Sequence, residues 1–148
     1  MVRIVHTSPY VSPHLRWSEL ACHDAIRTPV PLDVRDRAVD MAAEFEAIRE
    51  ACSRMAGHET PLTVLSAYRT PAYNATVPGS APNSQHVQMR AIDLACPDGL
   101  TYGQFKDAIR SAARRPGSLI RFIQWYPARS FAHVDIRPTQ TLREKTEP

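Results

Sequence analysis

The clearest hydrophobic pattern in the chain lies between residues 31 and 56. Apolar side chains recur there every three or four residues, the spacing of a helix with one buried face. The repeating positions are Val34, Ala38, Met41, Phe45, Ile48, Cys52 and Met55. Gly57 follows directly, and glycine commonly ends a helix because it adopts the left-handed backbone without strain. We therefore predict a long amphipathic helix that covers the core.

A second helix is predicted to begin near Thr101. Threonine is a favourable N-cap because its hydroxyl accepts a hydrogen bond from a free backbone N–H group of the first turn. The helical spacing after it predicts one buried face, made of Phe105, Ala108, Ile109 and Ala112.

Two short segments show the alternation of a β-strand. In residues 90–95, Ile92 and Leu94 fall on one face and Asp93 on the other. In residues 131–137, His133 and Asp135 share a face with Arg137, opposite the apolar positions Ala132, Val134 and Ile136. If these strands pair in register, Asp93 and His133 point to the same side of the sheet.

A third strand is predicted in the apolar run over residues 119–126, which Pro127 ends. A polar tail follows the His133 strand, and residues 138–148 are expected to be loose. The prolines near the start of the chain, Pro9, Pro13, Pro29 and Pro31, predict an irregular opening.

Candidate chemistry comes from His86 together with the two polar strand positions. Residues 78–84 are rich in turn-forming residues, so they predict a loop able to carry His86 over the polar face of the sheet. Two imidazoles and one carboxylate are what a catalytic zinc needs, with the fourth position open to water. The remaining histidines, His6, His14, His23 and His58, are interpreted as surface or core residues.

The order and spacing of several segments resemble the M15 zinc peptidases, specifically subfamily A of that family, the group of D-alanyl-D-alanine carboxypeptidases and murein endopeptidases. The similar segments are residues 12–20, 30–32, 62–74, 86–93, 126–127 and 131–135. This resemblance implies a single α+β domain over residues 1–148, with helices against a small, largely antiparallel sheet. The same fold is found in hedgehog-like zinc proteins.

The resemblance also implies a role for individual residues. One zinc ion would be bound by His86, Asp93 and His133. Arg69 would face the substrate and stabilise negative charge on the scissile carbonyl oxygen, or would only form an ion pair with Asp93 or Asp135. Among the substrate contacts, Ser84 would touch the peptide or steady the loop of residues 78–89 that carries His86, the metal loop. Tyr68 would contact the peptide or serve in packing.

The chain departs from the family pattern at the general base and in the metal loop. Related enzymes often carry Glu or Asp three residues before the last zinc ligand, or His two residues before it, where this chain has Ser130 and Phe131. Asp135 is the nearest carboxylate, and it is interpreted either as the catalytic base or as a partner that orients His133. Alternatively, Gln124 or Tyr126 would orient the water or the oxyanion. Met89 stands where glycine is common.

The function that the resemblance implies is hydrolysis of peptide bonds in the stem or cross-bridge peptides of peptidoglycan, as a carboxypeptidase or an endopeptidase. A non-catalytic module of the same fold is the alternative. Such a module would be structural or would bind the cell wall, for example as a component of a phage virion with virion proteins as partners.

Composition agrees with a small enzyme. The chain has 148 residues, of which 43% are apolar and 22% charged, so it is expected to fold as one domain. The net charge of +3 suits an anionic polymer such as peptidoglycan, or it is only a solvated basic face, which is the interpretation that we favour. No nucleic-acid-binding motif accompanies the charge, so nucleic acid is not expected as a partner. The cysteines Cys22, Cys52 and Cys96 lack metal-site spacing and are expected to be free.

The first residues predict how the protein would reach a cell wall. Residues 1–9 lack the apolar core of a signal peptide, and no run of the chain is long enough to span a membrane. We therefore expect synthesis in the cytoplasm and delivery to the wall by phage lysis, by a virion or by another export route.

Overall fold

The structure is a computed structural model that describes residues 8–148. It contains helices and two sheets, and the α+β fold class is therefore confirmed. The elements are β1 (Tyr10–Ser12), β2 (Leu15–Arg16), α1 (Trp17–Leu20), α2 (Arg35–Ala56), β3 (Val64–Ser66), α3 (Pro71–Asn74), β4 (Ala91–Ala95), α4 (Tyr102–Arg114), β5 (Phe122–Tyr126), β6 (Phe131–Asp135) and β7 (Arg143–Thr146).

The main sheet has five strands in the order β3-β4-β6-β5-β7. All neighbouring strands are antiparallel except β5 and β7, which are parallel. The prediction of a small, largely antiparallel sheet is confirmed. The second sheet is the small β1-β2 pair near the start of the chain.

The alternation in the strands places the core on one face of the main sheet. The apolar positions of β4, β5 and β6 are fully or almost fully buried: Ile92, Leu94, Ile123, Trp125, Ala132 and Val134. They belong to one hydrophobic cluster with the buried residues of α2 and α4. The opposite face of the same strands is therefore free to carry polar side chains.

Both predicted helices are confirmed. The region 31–56 forms a short 3₁₀ turn over Leu32–Val34 and then α2, which ends at Gly57 with φ of 80°. In α4, Thr101 is the N-cap and its hydroxyl accepts a hydrogen bond from the backbone N–H of Gln104. The four positions predicted to be buried in α4 are buried.

A buried carboxylate joins α2 to the segment after α4. Glu44 is 1% exposed, and its carboxylate is paired with Arg115. The same carboxylate accepts hydrogen bonds from Ser118 Oγ at 2.5 Å and from the backbone N–H of Leu119 at 3.0 Å. These contacts fix the start of the path into β5, and the strand predicted from residue 119 begins only at Phe122.

The opening of the chain is more regular than its prolines predicted. The prediction of an irregular opening is wrong for β1 and β2, which pair as antiparallel strands before α1. Glu46 of α2 holds this hairpin, because its carboxylate accepts hydrogen bonds from Ser12 Oγ at 2.6 Å and from the backbone N–H of His14 at 2.9 Å.

The prediction of a loose tail over residues 138–148 is wrong for Arg143–Thr146. These residues form β7 at the edge of the main sheet. The strand is anchored by Glu144, whose carboxylate accepts hydrogen bonds from Trp125 Nε1 at 2.7 Å and from Arg110 Nε at 2.9 Å. A polar strand is stable at this edge because an edge strand needs no apolar face. The Glu144 carboxylate also provides an acceptor for the buried indole of Trp125 and for Arg110 of α4.

Cys22, Cys52 and Cys96 are free thiols, as predicted. Among residues 8–148, no helix has the length and apolar character needed to cross a membrane. His6, interpreted from the sequence as a surface or core residue, lies outside the described residues.

Candidate metal centre

Two of the three predicted ligands face each other across neighbouring strands. Asp93 of β4 is the direct cross-strand partner of His133 of β6. Nδ1 of His133 lies 3.0 Å from Oδ1 of Asp93. The in-register pairing predicted from alternation is therefore observed.

The third predicted ligand comes from the loop before β4. Nε2 of His86 lies 3.2 Å from the same oxygen, Oδ1 of Asp93. The loop is held in place by its backbone, since the carbonyl of His86 accepts a hydrogen bond from the N–H of Arg69 at 3.1 Å. Ser84 Oγ also accepts a hydrogen bond from the N–H of His86 at 3.2 Å.

The hydrogen bonds on the far side of each ring fix which nitrogen carries the proton. Nδ1 of His86 lies 2.7 Å from the backbone oxygen of Ala67, and a carbonyl oxygen can only accept, so Nδ1 is protonated. Nε2 of His133 lies 2.8 Å from Oδ2 of Asp135, and this nitrogen donates in the same way. In the neutral rings, the lone pairs of His86 Nε2 and His133 Nδ1 both face Asp93.

Three electron-pair donors with no hydrogen between them repel one another unless a cation lies among them. One donor atom from each of His86, Asp93 and His133 lies within 4.8 Å of the others. Metal-bound histidines typically donate their other ring nitrogen to a carbonyl or a carboxylate, which is the arrangement of both rings here. Two imidazoles and one carboxylate are a donor set that suits zinc. The residues present therefore fit a zinc ion.

Without a metal, a proton takes the place of the cation. Burial alone would lower the pKa of His133, but hydrogen bonds to Asp135 and Asp93 outweigh it and raise this pKa to about 9. Burial alone would raise the pKa of Asp93, but the charges and hydrogen bonds of His86 and His133 hold it well below its usual range. The site therefore concentrates negative potential where a cation would be bound.

Asp135 lies behind His133, away from the open side of the site. Its side chain is 0% exposed. Besides His133, it accepts hydrogen bonds from Arg137 Nε at 2.8 Å and from Arg137 Nη2 at 2.7 Å. Burial opposes ionisation, but the hydrogen bonds from Arg137 and His133 keep the pKa of Asp135 below its usual value. Of the two interpretations from the sequence, this placement favours the orienting partner over the catalytic base.

Arg69 lies beside the predicted ligands, as the sequence suggested. Its Nη2 is 3.7 Å from Oδ2 of Asp93, and its Nε donates a hydrogen bond to Ser66 Oγ at 3.1 Å. Its Nη1 donates to Oδ1 of Asn74 at 3.3 Å. Asn74 also donates to the backbone oxygen of Ala81 at 2.9 Å, and so ties Arg69 to the metal loop. No sequence pattern marks Asn74 as a site residue, because its burial at 3% exposure arises only in the fold.

The two predicted substrate contacts have different positions. Ser84 lies on the wall of the cleft and steadies the metal loop through its bond to the N–H of His86. Tyr68 is 7% exposed and belongs to the hydrophobic core. Burial raises the pKa of its phenol. Tyr68 is not among the residues of the cleft wall, so its placement favours the packing alternative. A substrate contact of Tyr68 stays a prediction.

The ligands lie at the floor of a cleft of about 430 Å³. The strand side of the cleft is formed by alternating positions of β5 and β6, and the other side by the metal loop and Arg69. Side chains from the strands and the tail that line it are Phe122, Gln124, Tyr126, Arg129, Phe131, His133, Arg137 and Lys145. Among the described residues on its wall, Asp93 is the only carboxylate.

At the two positions where related enzymes often carry the general base, this chain has neither a carboxylic acid nor an imidazole. Ser130 lies in the turn between β5 and β6 with φ of 55°, and Phe131 stacks on Tyr126 with ring centroids 4.3 Å apart. Gln124 and Tyr126, the alternatives named from the sequence, both line the cleft. Their roles toward water or an oxyanion stay predictions.

The backbone conformation at Met89 explains why the family commonly has glycine at this position of the metal loop. Its φ is 54°, in the left-handed region that glycine adopts without steric cost. The Met89 side chain is 0% exposed and belongs to the core. Burial of this side chain offsets backbone strain, and the bulk of Met89 does not enter the cleft.

Comparison with known families gives a match over most of the chain. A family model described as Peptidase M15 matches residues 13–135, which is most of the chain. The matched region includes His86, Asp93 and His133 and ends at Asp135. A search of curated proteins found no match.

Proposed function

This chain belongs to the peptidase M15 family, and from that premise we propose that it is a zinc-dependent metallopeptidase of peptidoglycan. Family membership makes it a hydrolase of the peptidase kind. The finer proposal is that it cleaves the stem or cross-bridge peptides of the cell wall, as a carboxypeptidase or an endopeptidase. The observation that supports a zinc-dependent peptidase is the convergence of His86, Asp93 and His133. In both histidines, the ring nitrogen that faces away from Asp93 already donates a hydrogen bond.

His86, Asp93 and His133 would hold the zinc ion. When bound, zinc supplies Lewis acidity, which polarises a carbonyl group and makes water a nucleophile near neutral pH. Arg69 would place a fixed positive charge near the scissile carbonyl oxygen, because its guanidinium is held within 3.7 Å of Asp93 by Ser66 and Asn74. Asp135 keeps the Nε2 proton of His133 in place and so would leave the lone pair of Nδ1 to hold the ion.

The open cleft supports a polymeric peptide as the substrate. It is lined on the strand side by aromatic and basic side chains, among them Tyr126, Phe131 and Arg129. An extended peptide would lie along such a surface with its carboxylates near the cations. Because the proposed substrate is in the cell wall, we also propose that phage lysis, a virion or another export route delivers the protein, with virion proteins as partners in the second case.

One observation favours a second candidate function. Along the described wall of the cleft no carboxylate other than Asp93 is present, and Asp135 is sealed behind His133. A protein that holds zinc and binds wall peptides without cleaving them needs no general base. This non-catalytic module, structural or wall-binding, is therefore the alternative that the experiment below must separate from a peptidase.

The test is release of soluble peptides from purified peptidoglycan by the zinc-loaded chain. Three controls accompany it: chelator-treated protein, His86→Ala, and His58→Ala, which changes an exposed histidine outside the cleft. Release by the wild type and His58→Ala, but not by the other two, supports the peptidase, and product masses identify the bond. Stoichiometric zinc without release across several wall types overturns the peptidase and supports the non-catalytic module.

A further inference from the structure

A row of paired residues runs from the metal centre to the edge of the sheet. Asp93 pairs with His133, His133 with Gln124 on β5, and Gln124 with Lys145 on β7. Neighbouring strands lie roughly 4.8 Å apart, so the backbone of Lys145 is about 10 Å from that of His133. Residues at one register of adjacent strands point to the same face, and Lys145 indeed lines the cleft.

Lys145 lies on β7, outside the part of the chain that matches the family. The family match ends at residue 135, whereas β7 spans Arg143–Thr146. Glu144 reaches the core side of the sheet, where it accepts hydrogen bonds from Trp125 and Arg110. By strand alternation the next side chain, Lys145, turns to the opposite face, toward the cleft.

Lys145 differs from the other cations of the cleft because no carboxylate within residues 8–148 forms a salt bridge with its ammonium group. Arg137 is paired with Asp135, Arg129 with Glu147, and Arg69 with Asp93. Among residues 8–148, Lys145 makes no salt bridge and no side-chain hydrogen bond. A long, flexible ammonium side chain in an open cleft is available for an anionic group of a ligand.

We propose that Lys145 is a specificity-determining residue which binds a carboxylate of the substrate peptide. This inference rests on the proposed function, which it deepens by naming acidic peptides as the preferred class. An extended chain spans about 3.3–3.6 Å per residue, so the recognised carboxylate lies within about three residues of the scissile bond. It is either the C-terminal carboxylate or the side chain of an acidic residue.

Peptide affinity tests this inference without relying on cleavage. Three tetrapeptides are titrated calorimetrically into the full chain treated with a chelator, which prevents hydrolysis: a neutral C-terminal amide, the same peptide with a free C-terminus, and the amide with one Gln replaced by Glu. The proteins compared are the wild type, Lys145→Gln and, as the matched control, Lys106→Gln. Lys106 is the other lysine of the chain; it lies over the Trp125 ring and not on the cleft wall.

The wild type and Lys106→Gln are expected to bind at least one acidic peptide about fivefold more tightly than the neutral one, and Lys145→Gln to lose that preference. The acidic peptide that gains affinity identifies the source of the carboxylate. Equal affinities in the wild type, no binding of any peptide, or a preference retained by Lys145→Gln overturns the inference. Failure of the proposed function is read separately, as absence of peptide release from peptidoglycan by the zinc-loaded chain.

Discussion

Nδ1 of His133 lies 3.0 Å from Oδ1 of Asp93 across two paired strands, while Nε2 of the same ring donates to Asp135. In the neutral ring, the second contact holds the proton on Nε2 and leaves the lone pair of Nδ1 facing Asp93. A carboxylate and an imidazole lone pair are thus held against each other by the backbone of the sheet. This arrangement is stable with a cation between the groups, and it is the basis of the predictions about metal binding.

Zinc binding is predicted to strengthen with rising pH. The raised pKa of His133, about 9 without metal, means that a proton occupies Nδ1 at neutral pH and must leave when zinc binds. Between pH 6.5 and about 9, apparent zinc affinity should therefore rise about tenfold per pH unit. Competition with a chelator of known affinity at several pH values measures this. An affinity independent of pH over that range would contradict the proton assignment.

Replacement of Asp135 by Asn is predicted to weaken zinc binding without abolishing it. The amide keeps the size of the side chain but loses the charge that orients His133 and pairs with Arg137. Loss of such a partner typically costs about 10- to 100-fold in metal affinity. The control is Asp107→Asn, an exposed carboxylate on α4. Equal zinc affinity of the two variants would show that Asp135 does not position His133.

Glu44→Gln is predicted to destabilise the fold by about 3 kcal/mol, because it breaks a buried ion pair and leaves Arg115 beside an uncharged amide. The matched control lies on the same helix: Glu50→Gln breaks an exposed pair with Arg54 and should cost less than about 0.5 kcal/mol. Urea unfolding of the three proteins measures both values. Similar midpoints for Glu44→Gln and Glu50→Gln would refute the importance of this buried pair.

The anchoring of β7 by Glu144 is predicted to contribute to stability. Glu144→Ala leaves the indole N–H of Trp125 without its acceptor and should cost about 1–2 kcal/mol of unfolding free energy. Glu147→Ala removes the pair with the exposed Arg129 and should cost less than about 1 kcal/mol. Urea unfolding followed by tryptophan fluorescence distinguishes them. If neither substitution changes the unfolding free energy, the proposed anchoring of β7 to the sheet by Glu144 is wrong.

The sequence carried most of the information about the metal centre because a strand has a period of two. Alternation around Asp93 and His133 predicted both their common face and the apolar residues beneath them, and the observed pairing agrees. The helices were predictable for the same kind of reason, with Gly57 and Thr101 at their ends.

What the sequence left open depends on contacts between distant residues. The orientation of His133 follows from hydrogen bonds on both sides of its ring, so spacing alone could not decide between a base and an orienting role for Asp135. The edge strand β7 has little apolar character, and its stability comes from Trp125 and Arg110, which precede it by many residues. Tyr68 lies next to Arg69 in the chain but points into the core.

The most direct measurement is the zinc content of the purified chain, determined by elemental analysis after dialysis, beside the Asp93→Asn variant. We predict about one zinc ion per wild-type chain and a large loss of zinc in Asp93→Asn, with circular dichroism showing that both proteins remain folded. A wild type that retains no metal, or equal zinc in the two proteins, would contradict a metal centre formed by His86, Asp93 and His133.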